Sequence, residues 1–64
     1  MKVREVIRLL ASNGWVLERP KGSHRQFKHP MRPDVVTVAG KPNIDLPIGT
    51  LHAILKKAGI DETR

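Results

Sequence analysis

Lys21-Gly22-Ser23-His24-Arg25-Gln26-Phe27 decides how this chain is read. Gly22 tolerates backbone angles that a Cβ forbids, so it marks a turn. The polar and apolar residues that follow alternate as in a strand, where successive side chains point to opposite faces. His24, Gln26 and Lys28 then share one face, and Arg25, Phe27 and His29 share the other, with Phe27 as its core member. The imidazole of His24 therefore leaves the turn on the polar face, held by the scaffold and open to solvent.

Working outward, the second strand spans about His24 to Lys28, preceded by a breaker at Pro20-Lys21-Gly22. Trp15 to Arg19 forms the first strand, with Trp15 and Leu17 on one face and Val16 and Glu18 on the other. Upstream, Val3, Val6, Ile7 and Leu10 recur at helical spacing, which predicts a helix from about Lys2 to Ser12, stopped by Asn13-Gly14. Leu9 lies off this stripe and reads as a tolerated surface leucine ahead of the alternative, part of a partner face. Downstream, Pro30, Pro33 and Asp34 mark a loop, and the β-branched Val35-Val36-Thr37-Val38 marks a third strand. Ala39 to Leu46 has loop composition. Pro47 fits the first turn of a second helix, whose apolar stripe is Ile48, Leu51, Ile54, Leu55 and Ala58 and whose stop is Gly59. The order α-β-β-β-α predicts an α+β fold, a three-stranded antiparallel meander with both helices on one face. The face carrying His24, Gln26 and Lys28 is left bare.

Residues 1–64 suffice for a single domain, and a chain this short buries only about 60% of its unfolded surface. With no cysteine, neither disulfides nor thiolate metal sites are available. No apolar run approaches the roughly 20 residues of a membrane span, and no signal-peptide core follows the N-terminus, so the expected compartment is the cytoplasm. Twelve Lys and Arg against six Asp and Glu give a formal charge of +6. A field of that sign favours polyanions. The cations are spread over every segment instead of lining one amphipathic helix, which favours nucleic acid over a membrane surface, with an acidic protein as the next alternative.

Four features give the chain a family likeness: a first helix ending in Asn13-Gly14-Trp15, the Gly22-Ser23-His24 turn followed by Phe27, the strand Val36-Thr37-Val38, and the closing Leu46-Pro47-Ile48-Gly49-Thr50-Leu51 with Ile54-Leu55 and Ala58-Gly59. In this order, across nearly the whole chain, they resemble the HicA family of small bacterial toxins. The resemblance implies a double-stranded-RNA-binding-like α-β-β-β-α fold. It implies ribosome-independent cleavage of mRNA with the histidine at His24 essential, and a HicB antitoxin as partner. The family pattern has a proline, often with a histidine, just after the third strand. Here that place reads Ala39-Gly40-Lys41-Pro42, so a second histidine is absent there.

RNA can be cleaved without metal or other cofactor, because its own 2′-hydroxyl can attack the neighbouring phosphate. An imidazole can move either proton near neutral pH. Taken alone, the residues favour a turn histidine that merely touches solvent or phosphate, and the resemblance turns that reading to catalysis by His24. Lys21, Arg25 and Lys28 are the local cations for phosphate, and Ser23 can hydrogen-bond the imidazole or a phosphate oxygen. The expected RNA-contacting set is Lys21, Gly22, Ser23, Arg25, Gln26 and Lys28. His29, before Pro30 on the Phe27 face, reads as a boundary residue, and His52 as structural or exposed. His24 and His29 point to opposite faces and lack carboxylates at ligand spacing, so no metal site is expected. Two other functions use the same features: a non-catalytic double-stranded-RNA-binding-like module that recognises RNA by shape, and a basic adaptor for an acidic protein.

Overall fold

The structure, a computed structural model, describes residues 1–60. Its elements are α1 (Val3–Ser12), β1 (Val16–Lys21), β2 (His24–His29), β3 (Arg32–Ala39) and α2 (Ile48–Ala58). The three strands form an antiparallel sheet in the order β1-β2-β3, so the α+β order α-β-β-β-α is as expected.

α1 buries Val3, Val6 and Leu10 completely, with Ile7 half-buried beside them. The helix starts at Val3, one residue inside the expected start; Lys2 is the N-cap, and its backbone N–H donates to Glu5 Oε1 at 2.6 Å. The first helical N–H groups would otherwise be orphaned. Val3 N–H donates to the Ile44 carbonyl at 2.9 Å and Arg4 N–H to that of Pro42 at 3.0 Å. The segment 41–46 is thus a roof over the start of α1. Leu9 is half-buried and packs against the core, not on the surface as expected.

β1 differs from its expected bounds at both ends. Trp15 precedes the strand and is buried, its indole N–H donating to the Ala58 carbonyl at 3.3 Å. It does not share a strand face with Leu17, which stays 43% exposed. Pro20 and Lys21 continue the strand instead of breaking it, paired with Arg25 and His24. The turn is only Gly22-Ser23, with Gly22 at φ 61 and no other positive φ there, the type II′ pattern that suits a two-residue hairpin. Pairs in an antiparallel ladder alternate between bonded and non-bonded. With Lys21 and His24 closing the turn as the bonded pair, Pro20 falls where no N–H is required, and β1 is an edge strand, where proline is tolerated.

β3 begins at Arg32, earlier than expected, because the second turn is confined to Pro30-Met31. Pro33 and Asp34 sit where the register slips between Lys28↔Val35 and His29↔Arg32, so Pro33 breaks no ladder bond. Pro47 is the N-cap of α2, just before its first turn, and its carbonyl accepts Leu51 N–H at 2.9 Å. Leu51, Ile54, Leu55 and Ala58 are buried as expected, but Ile48, the first residue of α2, is 73% exposed. Gly59 caps α2 at φ 70, the left-handed position that ends many helices. Phe27, Val36 and Val38 of the sheet meet both helices in one core. Fully burying a side chain such as Phe27 contributes about 1.5–3 kcal/mol.

Candidate nucleic-acid interface

Directly opposed residues in an antiparallel ladder share a face, so the register lays out the bare side of the sheet. One row is Lys21–His24–Ala39, the next Arg19–Gln26–Thr37, and the third Val16–Lys28–Val35. The first two rows without Ala39, together with Glu18 and Pro20, line an open groove of about 650 Å³. That falls within the roughly 300–1,000 Å³ typical of ligand sites.

The layout depends on a β-bulge. Leu17 opposes Phe27 and Arg19 opposes Gln26, so Glu18 is the extra residue between them. In an unbroken ladder Glu18 would oppose Gln26, and Pro20 would oppose His24. The bulge instead sets two cations, Arg19 and Lys21, beside Gln26 and His24. Bulges commonly re-aim side chains at sheet edges and next to functional sites.

His24 is exposed, and its ring has no hydrogen-bond partner among the described residues. Lys21 stands directly across from it. Ser23 is exposed in the turn, and its carbonyl accepts Gly40 N–H at 3.1 Å, which ties the turn to the end of β3. Arg25 is half-buried on the opposite side of the sheet. Its Nη1 donates to the carbonyl of Gly40 at 2.8 Å and to that of Ser23 at 3.3 Å. The structure thus places this expected phosphate ligand behind the turn, bracing the backbone that carries His24. Lys28 lies at the far end of the bare face, its Nζ 3.0 Å from Glu18 Oε1, with both side chains about half exposed. Part of its charge is answered within the protein.

His29 closes the far end of β2. Its Nε2 donates to the Asn13 carbonyl at 3.1 Å and its Nδ1 accepts Met31 N–H at 3.0 Å, which defines the tautomer. Its ring also stands edge-on to Trp15, with centroids 5.2 Å apart. It is a structural clasp, in keeping with a boundary residue, and His52 lies on the exposed side of α2. Among the described residues, no group of three or more His, Cys, Asp or Glu side chains converges as a metal site requires, and no helix is long and apolar enough to cross a membrane.

Four groove residues, Glu18, Arg19, Pro20 and Thr37, lie outside the expected set, and Arg19 and Thr37 are the two with side chains suited to RNA. Thr37 was accessible, because Val36 and Val38 alternate around it. Arg19 was not, because a bulge has no periodic signature.

Known proteins share this architecture. Residues 3–60 match the family model described as HicA toxin of bacterial toxin–antitoxin. A solved structure titled HicA3 and HicB3 toxin–antitoxin complex contains a chain similar to this one at 28% identity, with a TM-score of 0.81. The match covers 98% of this chain and all of that one. No curated protein sequence matches this chain.

Proposed function

This chain belongs to the HicA toxin family of bacterial toxin–antitoxin systems, and from that premise we propose that it is a single RNA-cleaving domain, an endoribonuclease acting on mRNA with His24 as its acid–base group. The observation that carries the proposal is an exposed, unpartnered imidazole, fixed beside a two-residue turn and paired with Lys21 in a groove that also holds Arg19.

In this reaction His24 takes the proton of a ribose 2′-hydroxyl. The 2′-oxygen attacks the adjacent phosphorus, the bond from phosphorus to the 5′-oxygen breaks, and the leaving oxygen takes a proton from solvent water, while His24 later returns its own proton to solvent. The products are a 2′,3′-cyclic phosphate and a 5′-hydroxyl. Lys21 and Arg19 offset the negative charge gathering on the non-bridging oxygens, where fixed donors contribute most. Neither a metal ion nor another cofactor is required. Arg25 keeps Gly22-Ser23 in place from behind the sheet.

The partner is a HicB-like antitoxin. The solved relative is titled as a complex with HicB3, and a cationic face attracts an acidic inhibitor as it attracts RNA. Purified protein, incubated with labelled mRNA in excess chelator, should yield fragments with cyclic phosphate ends. A 2′-O-methyl group at the cleaved nucleotide should block the cut. RNA left intact by the wild-type protein would refute the assignment.

A further inference from the structure

We infer that Gln26 and Thr37 form a nucleobase subsite, which reads an adenine in the nucleotide next to the scissile phosphate. The inference rests on the endoribonuclease reading above. Of the three β3 residues on the bare face, Ala39 and Val35 carry no hydrogen-bonding side chain, and only Thr37 does. Thr37 is directly opposed to Gln26, and both line the groove that contains His24. Both are exposed, and neither side chain has a partner among the described residues. Opposed side chains start about 5 Å apart at their Cβ atoms, close enough to grip one base edge together.

Position along the sheet supports the assignment. Gln26 is two residues from His24, or roughly 7 Å along a strand that rises about 3.4 Å per residue. A nucleotide whose phosphate lies at His24 and Lys21 therefore brings an adjoining base over Gln26 and Thr37. Unpaired bases of single-stranded RNA present both hydrogen-bonding edges to such a surface.

The choice of base follows from donor and acceptor chemistry. A glutamine side chain offers one acceptor and one amide donor side by side. Adenine answers that pair through its N6 amino group and N7, the pairing typical of glutamine. The other three bases answer an amide only on the Watson–Crick edge, since on the second edge guanine shows two acceptors and pyrimidines have no N7; adenine alone answers on both, through N6 with N1 or with N7. The Thr37 hydroxyl holds the amide in one orientation by bonding it or the same base.

The experiment uses the full chain and short RNAs in which the nucleotides flanking the cut are varied through A, G, C and U. Wild type should favour adenine at one flanking position by on the order of tenfold in kcat/KM. Gln26→Leu, which keeps the bulk and removes the amide, should bring that ratio close to one, and Thr37→Val should lower it. Circular dichroism confirms that these exposed substitutions leave the fold intact. A wild-type ratio near one, or an adenine preference that survives Gln26→Leu, overturns the subsite. A parallel arm measures binding of the same RNAs made uncleavable by 2′-O-methyl groups. If nothing is cut yet adenine binds best and Gln26→Leu removes that preference, the subsite stands while the endoribonuclease reading fails. Equal binding of all four sets by wild type, with no cleavage, sinks both.

Discussion

His24, Lys21 and Arg19 divide the chemistry, and each makes a separate forecast. His24→Ala removes the only imidazole that lines the groove among the described residues, so cleavage should fall by about 10²–10⁴-fold. Its fold and antitoxin binding should persist, since the ring braces nothing, and cleavage assays beside circular dichroism and a binding assay check all three. The cations separate by salt dependence. Removing one cation from a phosphate of single-stranded RNA lowers the slope of log affinity against log salt by about 0.7. Arg19→Ala and Lys21→Ala should each approach that change, while Lys28→Ala should change it less, because Glu18 already holds the Lys28 ammonium. Equal slopes for all three variants would show that the groove does not order the RNA. His29 belongs to the other class of histidine. His29→Ala removes two hydrogen bonds and an edge-on ring contact, and should cost about 1–2 kcal/mol in urea melts while the chemical step is unaffected.

At the scale of elements, the bulge and the α2 cap are the features most exposed to test. With Glu18 deleted, the flanking pairs Leu17↔Phe27 and Arg19↔Gln26 become neighbours in an unbroken ladder. Cross-strand amide contacts between Arg19 and Gln26 should survive in NMR spectra, and Lys28 should become a free phosphate ligand with a full salt slope. At Gly59 a Cβ would stand 2.5 Å from Arg32 Nη1, on top of the left-handed backbone that already penalises alanine there. Because that guanidinium is the far end of an exposed side chain that can swing aside, Gly59→Ala should cost about the 1–2 kcal/mol of the left-handed backbone, and Arg32→Ala in the same chain should change this little. A double-mutant cycle on thermal melts measures that coupling.

These elements also show what a sequence discloses. The order α-β-β-β-α, the buried stripes and the outward face of His24 were legible, because each rests on a period that holds over several residues. Pro20 misled because its tolerance depends on β1 being an edge strand, a fact of topology with no local sign. Arg19 was hidden by a single inserted residue that shifts the alternation. Arg25 was visible as a cation, but not as a brace, because its partners Ser23 and Gly40 are carbonyls supplied by two different turns. Ile48 fitted the helical stripe by spacing alone and stands exposed at the first position of α2.

Seen whole, the molecule is a slab of 31 × 29 × 17 Å, one layer of sheet under one layer of helix. All of its proposed chemistry therefore lies on one broad side. An antitoxin that covers this side should protect His24 from an imidazole-modifying reagent, as read by mass spectrometry with and without the partner. Equal modification in both states, with cleavage still inhibited, would mean control from a distance. The slab is also thin in energetic terms. Phe27→Ala should remove about 3–5 kcal/mol, a large share of the 5–15 kcal/mol that stabilises ordinary domains, and so leave much of the chain unfolded at 25 °C in a urea titration.

The sheet order β1-β2-β3 leaves two open rims, and one of them carries the exposed Val16 and Leu17. Such a rim invites a second chain to add its own strand, and then a third. Pro20 withholds a donor from that rim, and the kink at Glu18 turns its backbone out of line. Pro33 does the same for the opposite rim at the irregular start of β3. The bulge and the proline that shape the groove thus also act as chain terminators, opposing the addition of a further strand.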